Sequence, residues 1–308
     1  MKKSTFFIMT LLTGIILCHF SCRKKSIADD GGTVVQISVD ELTGGETIDT
    51  VVNVLAKRLS RLYPDNNTVV VYDNGRRLIR AELPQINFPK SNSYVFTALG
   101  NMQIMETADP MDFMSKIKYA DFSEGQKDTL RMMTIVNQYD LGVVSLNDTA
   151  AVNRFFSSDA VRELLPRNYS FSLAWGIPFI NNHGDSRVKF VVLYCLKKSK
   201  RNIQLNEAWD SSVVEPSPVG DKYNLALWMT SRYAAKFQAL TKENIGRTLA
   251  ITLDDVVLSI PIVNDEIHGG ALVISGGFSK EEVSVYDAFL SVNPISSKLS
   301  VHSIEYVK

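Results

Sequence analysis

The residues best suited to metal binding are few and scattered along the chain. Of 308 residues, three are cysteine and four are histidine. His183, His268 and His302 follow the apolar N-terminal segment, but no two of them have the spacing of zinc ligands and none has a cysteine beside it. Such isolated histidines are typical of turns and surfaces. The sequence therefore predicts no metal site and no cofactor.

Hydroxyl and carboxylate side chains do not form a catalytic pattern either. Ser259, Ser275 and Ser279 belong to no motif that supplies a base, so nothing activates a nucleophile. Asp254 and Asp255 are adjacent in an expected hairpin turn, where neighbouring side chains point apart and are solvated. We predict that the protein has no catalytic residues and is not an enzyme.

A glycine-rich step at residues 276–279 precedes an expected helix, and the start of a helix can cradle a phosphate. However, Glu281 and Glu282 would repel the anion, and the step has no Gly-Lys-Ser/Thr. Basic and acidic side chains balance at 33 each, which gives no electrostatic reason to expect a nucleic-acid partner. We expect neither phosphate nor nucleic acid to bind.

The N-terminus has the pattern of a secretory signal. A charged start precedes the apolar run Phe6–Leu17, which is too short to span a membrane as a helix. Residues 1–22 are expected to form a lipoprotein signal with Cys22 as the lipid-attachment residue; an ordinary cleaved signal is the alternative. The polar residues 23–33 predict a flexible tether.

The stretch from Leu240 to Glu282 is the most informative part of the chain. Its alternation of apolar and small residues predicts half-buried strands, and its glycines and aspartates predict turns. Ser279 and Glu282 have the spacing of a capping box at the start of a helix. The expected elements are a strand at 249–253, a turn at 254–255, a strand at 256–260 stopped by Pro261, a turn at 269–270, a strand at 271–274 and a helix from 279.

The first third of the chain predicts a small sandwich of helices and strands. Apolar residues recur at helical spacing in Thr47–Leu62, with Arg58 expected on the polar side of that helix. Asp-Asn-Gly at 73–75 predicts a hairpin. With a weaker helix at 91–99 and a strand at 102–106, the order strand–helix–strand–strand–helix–strand is typical of a ferredoxin-like unit.

The rest of the chain has a less regular pattern. The expected elements are an irregular polar stretch at 116–131, a helix at 149–165, a strand at 188–196, a loop at 211–220, a strand at 223–229, a helix at 233–240 and a last strand at 299–306.

Five short sequences together resemble the first periplasmic domain of the SecD/SecDF protein-export family. They are LTKENIGR from Leu240, LAITLD from Leu249, the step Ser259-Ile260-Pro261, IHGG from Ile267 and ISGGF from Ile274. The positions that carry the resemblance are Thr241, Asn244, Gly246, Asp254, Pro261, Gly269, Gly270, Ser275, Gly276 and Phe278.

The resemblance implies an α+β fold in two parts. A discontinuous ferredoxin-like base is expected from residues 34–109 and 279–308, with an α+β head inserted at 110–278. In the SecD family the chain continues into membrane helices that carry proton-coupled residues. This sequence ends at Lys308, so we expect a stand-alone lipoprotein without proton coupling.

Two functions from different classes remain open at this point. The resemblance implies a lipid-anchored protein that faces the periplasm and binds unfolded exported polypeptide, in association with the Sec export machinery. Trp228, Tyr233 and Phe237 are the candidate polypeptide contacts. The alternative is a structural lipoprotein that docks on one fixed, folded partner in the cell envelope.

Overall fold

A computed structural model describes residues 31–307 except 65–67, 85–87, 89–92, 119, 166–169 and 181–187. The predicted signal with Cys22, most of the tether and His183 lie outside the described residues. The helices are α1 Ile48–Leu62, α2 Tyr94–Thr97, α3 Pro110–Lys118, α4 Glu124–Arg131, α5 Thr149–Phe156, α6 Asp159–Arg162, α7 Leu205–Ala208, α8 Ser231–Glu243 and α9 Lys280–Leu290.

The strands are β1 Gly32–Glu41, β2 Val69–Asp73, β3 Leu78–Leu83, β4 Met102–Glu106, β5 Gly142–Ser145, β6 Phe171–Gly176, β7 Phe179–Ile180, β8 Lys189–Lys197, β9 Ile203–Gln204, β10 Trp209–Pro216, β11 Tyr223–Met229, β12 Leu249–Leu253, β13 Val256–Ser259, β14 Ala271–Phe278 and β15 Lys298–Val307. The fold has a mixed α+β architecture, as the sequence predicts, and the described strands form three sheets.

The first sheet joins the two ends of the chain. Its strand order is β15-β1-β3-β2, and every neighbouring pair is antiparallel. Strand β1 lies in the centre, so the last strand of the chain is as firmly paired to it as the hairpin strand β3. The sheet is therefore complete only when residues near 300 have returned to residues near 35.

Helix α1 covers the core of this sheet. Thr47 caps it by accepting a hydrogen bond from the Thr50 backbone N–H, and Leu55 and Leu59 are fully buried. The expectation that Arg58 lies on the polar side is wrong, because this side chain is also fully buried. Its guanidinium donates to the carbonyls of Val95, Ala98 and Leu99, the first two at 3.3 and 2.8 Å.

The expected fourth strand of this sheet, at 102–106, lies elsewhere. Strand β4 pairs with β12 and β9 in the largest sheet, whose order is β5-β8-β6-β13-β12-β4-β9 with β7 beside β8. The ferredoxin-like order of residues 34–106 is therefore wrong in its last strand, because β15 takes that position. Local sequence order cannot distinguish these two pairings.

The third sheet has the order β10-β11-β14 and contacts α9. That helix also packs on α1, so it lies between α1 and the third sheet. Its capping box forms as predicted, with Ser279 and Glu282 exchanging hydrogen bonds with each other's backbone. Arg61 of α1 and Asp287 of α9 make an ion pair at 2.6 Å.

The hydrophobic core does not divide at the predicted head boundaries of 110 and 278. One continuous cluster holds residues of the first sheet, α1, α9, the third sheet and β12. A second cluster, within residues 108–195, joins α3, α5 and α6 to β5 and β8. The part with its own core is therefore shorter than the expected insertion.

Three local expectations are also corrected by the structure. The stretch 116–131 contains the end of α3 and all of α4, the latter with a Ser123–Gln126 capping box. The expected helix at 149–165 is broken after Phe156 into α5 and α6. The expected loop at 211–220 is largely β10, whose last residue, Pro216, is on an outer strand where a missing N–H is tolerated.

None of the described helices is long and apolar enough to cross a bilayer.

Replacing Arg58 by methionine should lower the free energy of unfolding by about 3–5 kcal/mol, because removing a buried charged partner leaves carbonyls unsatisfied. Arg58→Lys should also destabilise, since an ammonium lacks the planar fork that reaches several carbonyls. The control is Lys57→Met at the exposed neighbouring position, expected within about 0.5 kcal/mol of wild type. Urea unfolding followed by circular dichroism measures all three; an unchanged Arg58→Met midpoint would contradict the assignment.

Ending the chain at Phe278 should abolish cooperative unfolding of the first sheet. The truncation removes α9 and β15, and with them the partner of β1 and the cover of α1. Thermal unfolding by calorimetry tests this, with a peptide of residues 279–308 added in trans as the control for rescue. A truncated protein that keeps the full unfolding enthalpy would show that the first sheet forms without its last strand.

Candidate functional site

An apolar cavity lies beside the outer edge of β14. Its volume is about 390 Å³, and we call it the edge groove. One wall is β14 from Ala271 to Val273, a second is the segment 261–267, and the inner wall comes from β4, α8 and β12. The inner-wall side chains are Ile104, Phe237, Thr241, Leu249 and Ile251.

The segment 261–267 is held in place from both of its ends. Thr241 of α8 is fully buried, donates to the Phe237 carbonyl at 3.0 Å and accepts from the Ile267 backbone N–H at 3.0 Å. Gly246 donates its backbone N–H to the Val263 carbonyl at 2.8 Å and has φ of +77°. A side chain at that φ would be strained, so glycine suits the end of α8.

A cluster of charged and amide side chains fastens the same segment to α8. Glu266 pairs with Lys242 at 3.6 Å and accepts a hydrogen bond from Gln238 at 2.5 Å. The Gln238 hydrogen bond and the nearby Lys242 lower the pKa of Glu266. This carboxylate is therefore ionised at neutral pH.

The turn before β14 brings that strand close to α8. Gly270 has φ of +72°, and a Cβ built on it would lie 2.7 Å from the Ala234 Cβ. Any larger residue would push the turn away from the helix. The close approach sets the width of the groove between α8 and the start of β14.

The rim of the groove is apolar and exposed. Ile262 is 45% exposed and Val273 is 48% exposed, on opposite walls. Strand β14 pairs with β11 on one edge, and within the described residues no strand pairs with its other edge. A free strand edge beside an apolar groove can accept an extended chain by backbone hydrogen bonds while the groove takes its side chains.

The three predicted contact residues are not brought onto one surface. Phe237 is 1% exposed and belongs to the inner wall of the groove. Trp228 is 42% exposed on the outer face of the third sheet. Tyr233 lies in the first turn of α8, where its hydroxyl donates to Glu207 at 2.5 Å and this hydrogen bond raises its pKa.

The motif positions of the sequence shape the groove and its support. Pro261, Gly270, Thr241 and Gly246 border or fasten the groove, as described above. Asn244 caps the end of α8 and donates to the Leu240 carbonyl at 2.8 Å.

The remaining motif positions lie at the turn after β12 and at the end of β14. Asp254 was expected to be solvated, but it is partly buried and accepts from the Leu99 and Asn101 backbone N–H groups at 3.1 and 2.9 Å. Burial raises its pKa, against the effect of those hydrogen bonds. Gly276 lies under the Phe278 ring, which leaves no room for a Cβ. Gly269 has φ of +76° and open space around it, and Ser275 is exposed.

The groove itself was not predicted from the sequence. Its rim residues Ile262 and Val273 lie in short apolar runs that read equally well as core. The sequence shows that Ala271–Ile274 is apolar throughout. It does not show that Ala271 and Val273 are exposed, which is the feature that marks the groove. Within the described residues, no cluster of three or more histidine, cysteine or acidic side chains could hold a metal ion.

The comparisons with known proteins agree with one another. The family described as "SecDF, P1 head subdomain" matches residues 199–293, which contain the whole groove apart from Ile104. The protein translocase subunit SecD of Rhodothermus marinus is 32% identical over 142 residues, covering 46% of this chain and 22% of that protein. The SecDF of Thermus thermophilus is 36% identical over 83 residues, covering 27% of this chain and 11% of that protein.

Solved structures give further similarities. The match to a structure of SecDF in its super-membrane-facing form covers 90% of this chain and 30% of the SecDF chain, with a TM-score of 0.49 and 16% sequence identity. The match to a second SecDF structure covers 88% of this chain and 99% of the chain in that structure, with a TM-score of 0.45 and 17% sequence identity. The chain spans about a fifth or less of the length of the curated relatives described here.

The family match lies on the residues that build the edge groove, and the identity to SecD extends over nearly half of the chain. Residues 199–293 are therefore similar to the P1 head subdomain of SecDF, and nearly half of the chain is similar to SecD.

Proposed function

We propose that this protein is a non-enzymatic lipoprotein of the cell envelope that faces the periplasm and holds unfolded, exported polypeptide as an accessory to protein translocation. The observation that carries the proposal is the edge groove, an apolar cavity open beside a strand edge that pairs with none of the described strands. The similarity to SecD and SecDF supports a place near the Sec export machinery.

The groove suits an extended chain of loose sequence preference. Backbone groups of β14 would add a strand, which every polypeptide can supply, and the aliphatic walls would accept any apolar side chain. Ordering a flexible chain consumes much of the contact energy. We expect a dissociation constant in the micromolar to millimolar range, roughly −8 to −4 kcal/mol, which permits release during translocation.

Docking on one fixed, folded partner is the second candidate function. It is favoured by the outer face of the third sheet, where Trp228, Val213 and Val273 are between 42% and 51% exposed on three neighbouring strands. A flat exposed apolar face of this kind is typical of a protein–protein contact. Val273 belongs to both surfaces, because its side chain is at the strand edge.

Carboxylates at the rim should weaken polypeptide binding. The double variant Ile262→Asp/Val273→Asp places two carboxylates at the rim, and both would lose water when an apolar segment binds. We therefore expect at least a tenfold rise in the dissociation constant. The measurement is a titration of residues 23–308 with a labelled unfolded exported protein. Val71→Asp, at an exposed apolar position on β2, is the control and should leave binding unchanged.

A different result would favour the second function. If no unfolded chain binds at hundreds of micromolar and one folded protein is recovered from cells at a fixed stoichiometry, the docking role replaces the polypeptide-binding role. In that case Trp228→Ala should release the partner, since the tryptophan is the largest exposed side chain of the flat face.

Changing Cys22 to serine should release the protein from the membrane fraction or leave it unprocessed, because the proposed lipid would have no attachment site. A single acyl chain gives only marginal membrane binding, so stable attachment requires several chains on the modified cysteine. Fractionation of cells tests this, with Cys195→Ser at the buried thiol as the control. Cleaved Cys22→Ser protein that stays with the membrane would rule out lipid anchoring.

A further inference from the structure

A second and larger cavity lies apart from the edge groove. It has a volume of about 870 Å³ and shares no lining residue with the groove. Three connections meet around it: residues 107–109 after β4, residues 198–201 after β8 and residues 246–248 before β12. We call it the charged cleft. Its volume lies within the range of roughly 300–1,000 Å³ that ligand sites occupy.

Most of the charged side chains of the cleft that lack an ion-pair partner are cationic. Lys197, Lys198 and Arg247 line it, and within the described part of the chain none of the three has an ion-pair partner. The fourth cation, Arg201, is already engaged, at 2.9 Å with Glu106 and also with Glu243.

The other carboxylates of the cleft are also engaged. Asp109 accepts from the backbone N–H groups of Met111 and Asp112 at 2.8 and 3.2 Å, and so caps the start of α3. Asp112 pairs with Lys116 one turn later in the helix. The hydrogen bonds of Asp109 do not neutralise its charge, but Lys197, Lys198 and Arg247 outnumber it, so among the described residues the charge that a ligand would meet without an ion-pair partner is positive on balance.

The inner wall of the cleft also offers one unused acceptor. Glu106 is 1% exposed, and its Oε1 takes hydrogen bonds from Arg201 at 2.9 Å and Asn244 at 3.4 Å. Its Oε2 is buried and has no hydrogen-bond partner among the described residues. A buried acceptor without a donor costs free energy, so an N–H group of a ligand would be favourable there.

We propose that the charged cleft binds an extended polypeptide segment that carries acidic side chains. Such a segment has carboxylates for Lys198 and Arg247 and backbone N–H groups for the Glu106 carboxylate. Met111, which is 62% exposed at the cleft, gives an apolar contact that an inorganic anion would not use. The cleft is also much larger than a single small anion requires.

This inference goes beyond the proposed function, because it assigns a charge preference to a different cavity. The two can fail separately. The variant Ile262→Asp/Val273→Asp disables only the edge groove, and the variant Lys198→Gln/Arg247→Gln alters only the charged cleft. Lys198 and Arg247 are both exposed, so neutral replacements should leave the fold intact.

Fluorescence anisotropy with the mature protein tests the proposal. The probe is a labelled, unstructured peptide in which glutamate alternates with serine and leucine, compared with the same peptide carrying glutamine for glutamate. The acidic peptide should bind at least tenfold more tightly at low salt, and this advantage should shrink as salt screens the cations. Lys198→Gln/Arg247→Gln should abolish the advantage, while Ile262→Asp/Val273→Asp should keep it.

The matched control is Lys280→Gln/Lys298→Gln, which removes the same charge from exposed positions on α9 and β15. It should retain the full preference for the acidic peptide. Equal binding of both peptides would overturn the proposal, and so would an equal loss in the control variant. Displacement of the peptide by inorganic phosphate at the peptide's own dissociation constant would overturn the assignment to polypeptide.

Discussion

The turn from Ala98 to Met102 is the point on which the two parts of the fold depend. Here the chain passes from α2 into β4 of the largest sheet, and Gly100 and Met102 are buried while Leu99 is 39% exposed. Buried N–H and C=O groups must find partners. They find them in side chains from three distant regions: Arg58 of α1, Asn206 of α7 and Asp254 of the turn after β12.

Each of these side chains supplies what the backbone lacks at its position. Arg58 donates to carbonyls at the end of α2, Asp254 accepts from N–H groups, and the Asn206 amide does both. Burial lowers the Arg58 pKa to about 9, with Asp254 and Glu46 acting in the opposite direction, so the guanidinium is charged at neutral pH. Gly100 is required because a Cβ there would lie 2.5 Å from the Arg58 Nη2. The turn can exist only with glycine in it and with all three regions in place.

The sequence predicts where the helices and strands lie better than it predicts which distant residues they contact. The spacing of its apolar residues predicts helix α1. The charge of Arg58 predicts a place on the polar side of that helix, although the side chain is buried in the structure. Its partners come from about 40 residues away and leave no local signal. The pattern of strand β12 predicts one buried face, yet Ala250 and Thr252 on the other face are also buried. Ala250 packs in a small cluster with Val257 and Leu196. The edge groove was beyond prediction since it forms where five separate segments meet.

The shared core bears on how the groove can work. Residues of the first sheet, α9 and the groove wall belong to one hydrophobic cluster, and Phe289 of α9 stacks on the Arg58 guanidinium at 4.6 Å. A hinge between the first sheet and the groove would have to open that cluster and expose the charged side chain within it. Packed cores resist such deformation. Because the segment 261–267 is also held by hydrogen bonds at both ends, the parts of the groove left to adjust are the exposed side chains of its rim, Ile262 and Val273, and an extended chain bound as proposed would meet a fixed frame.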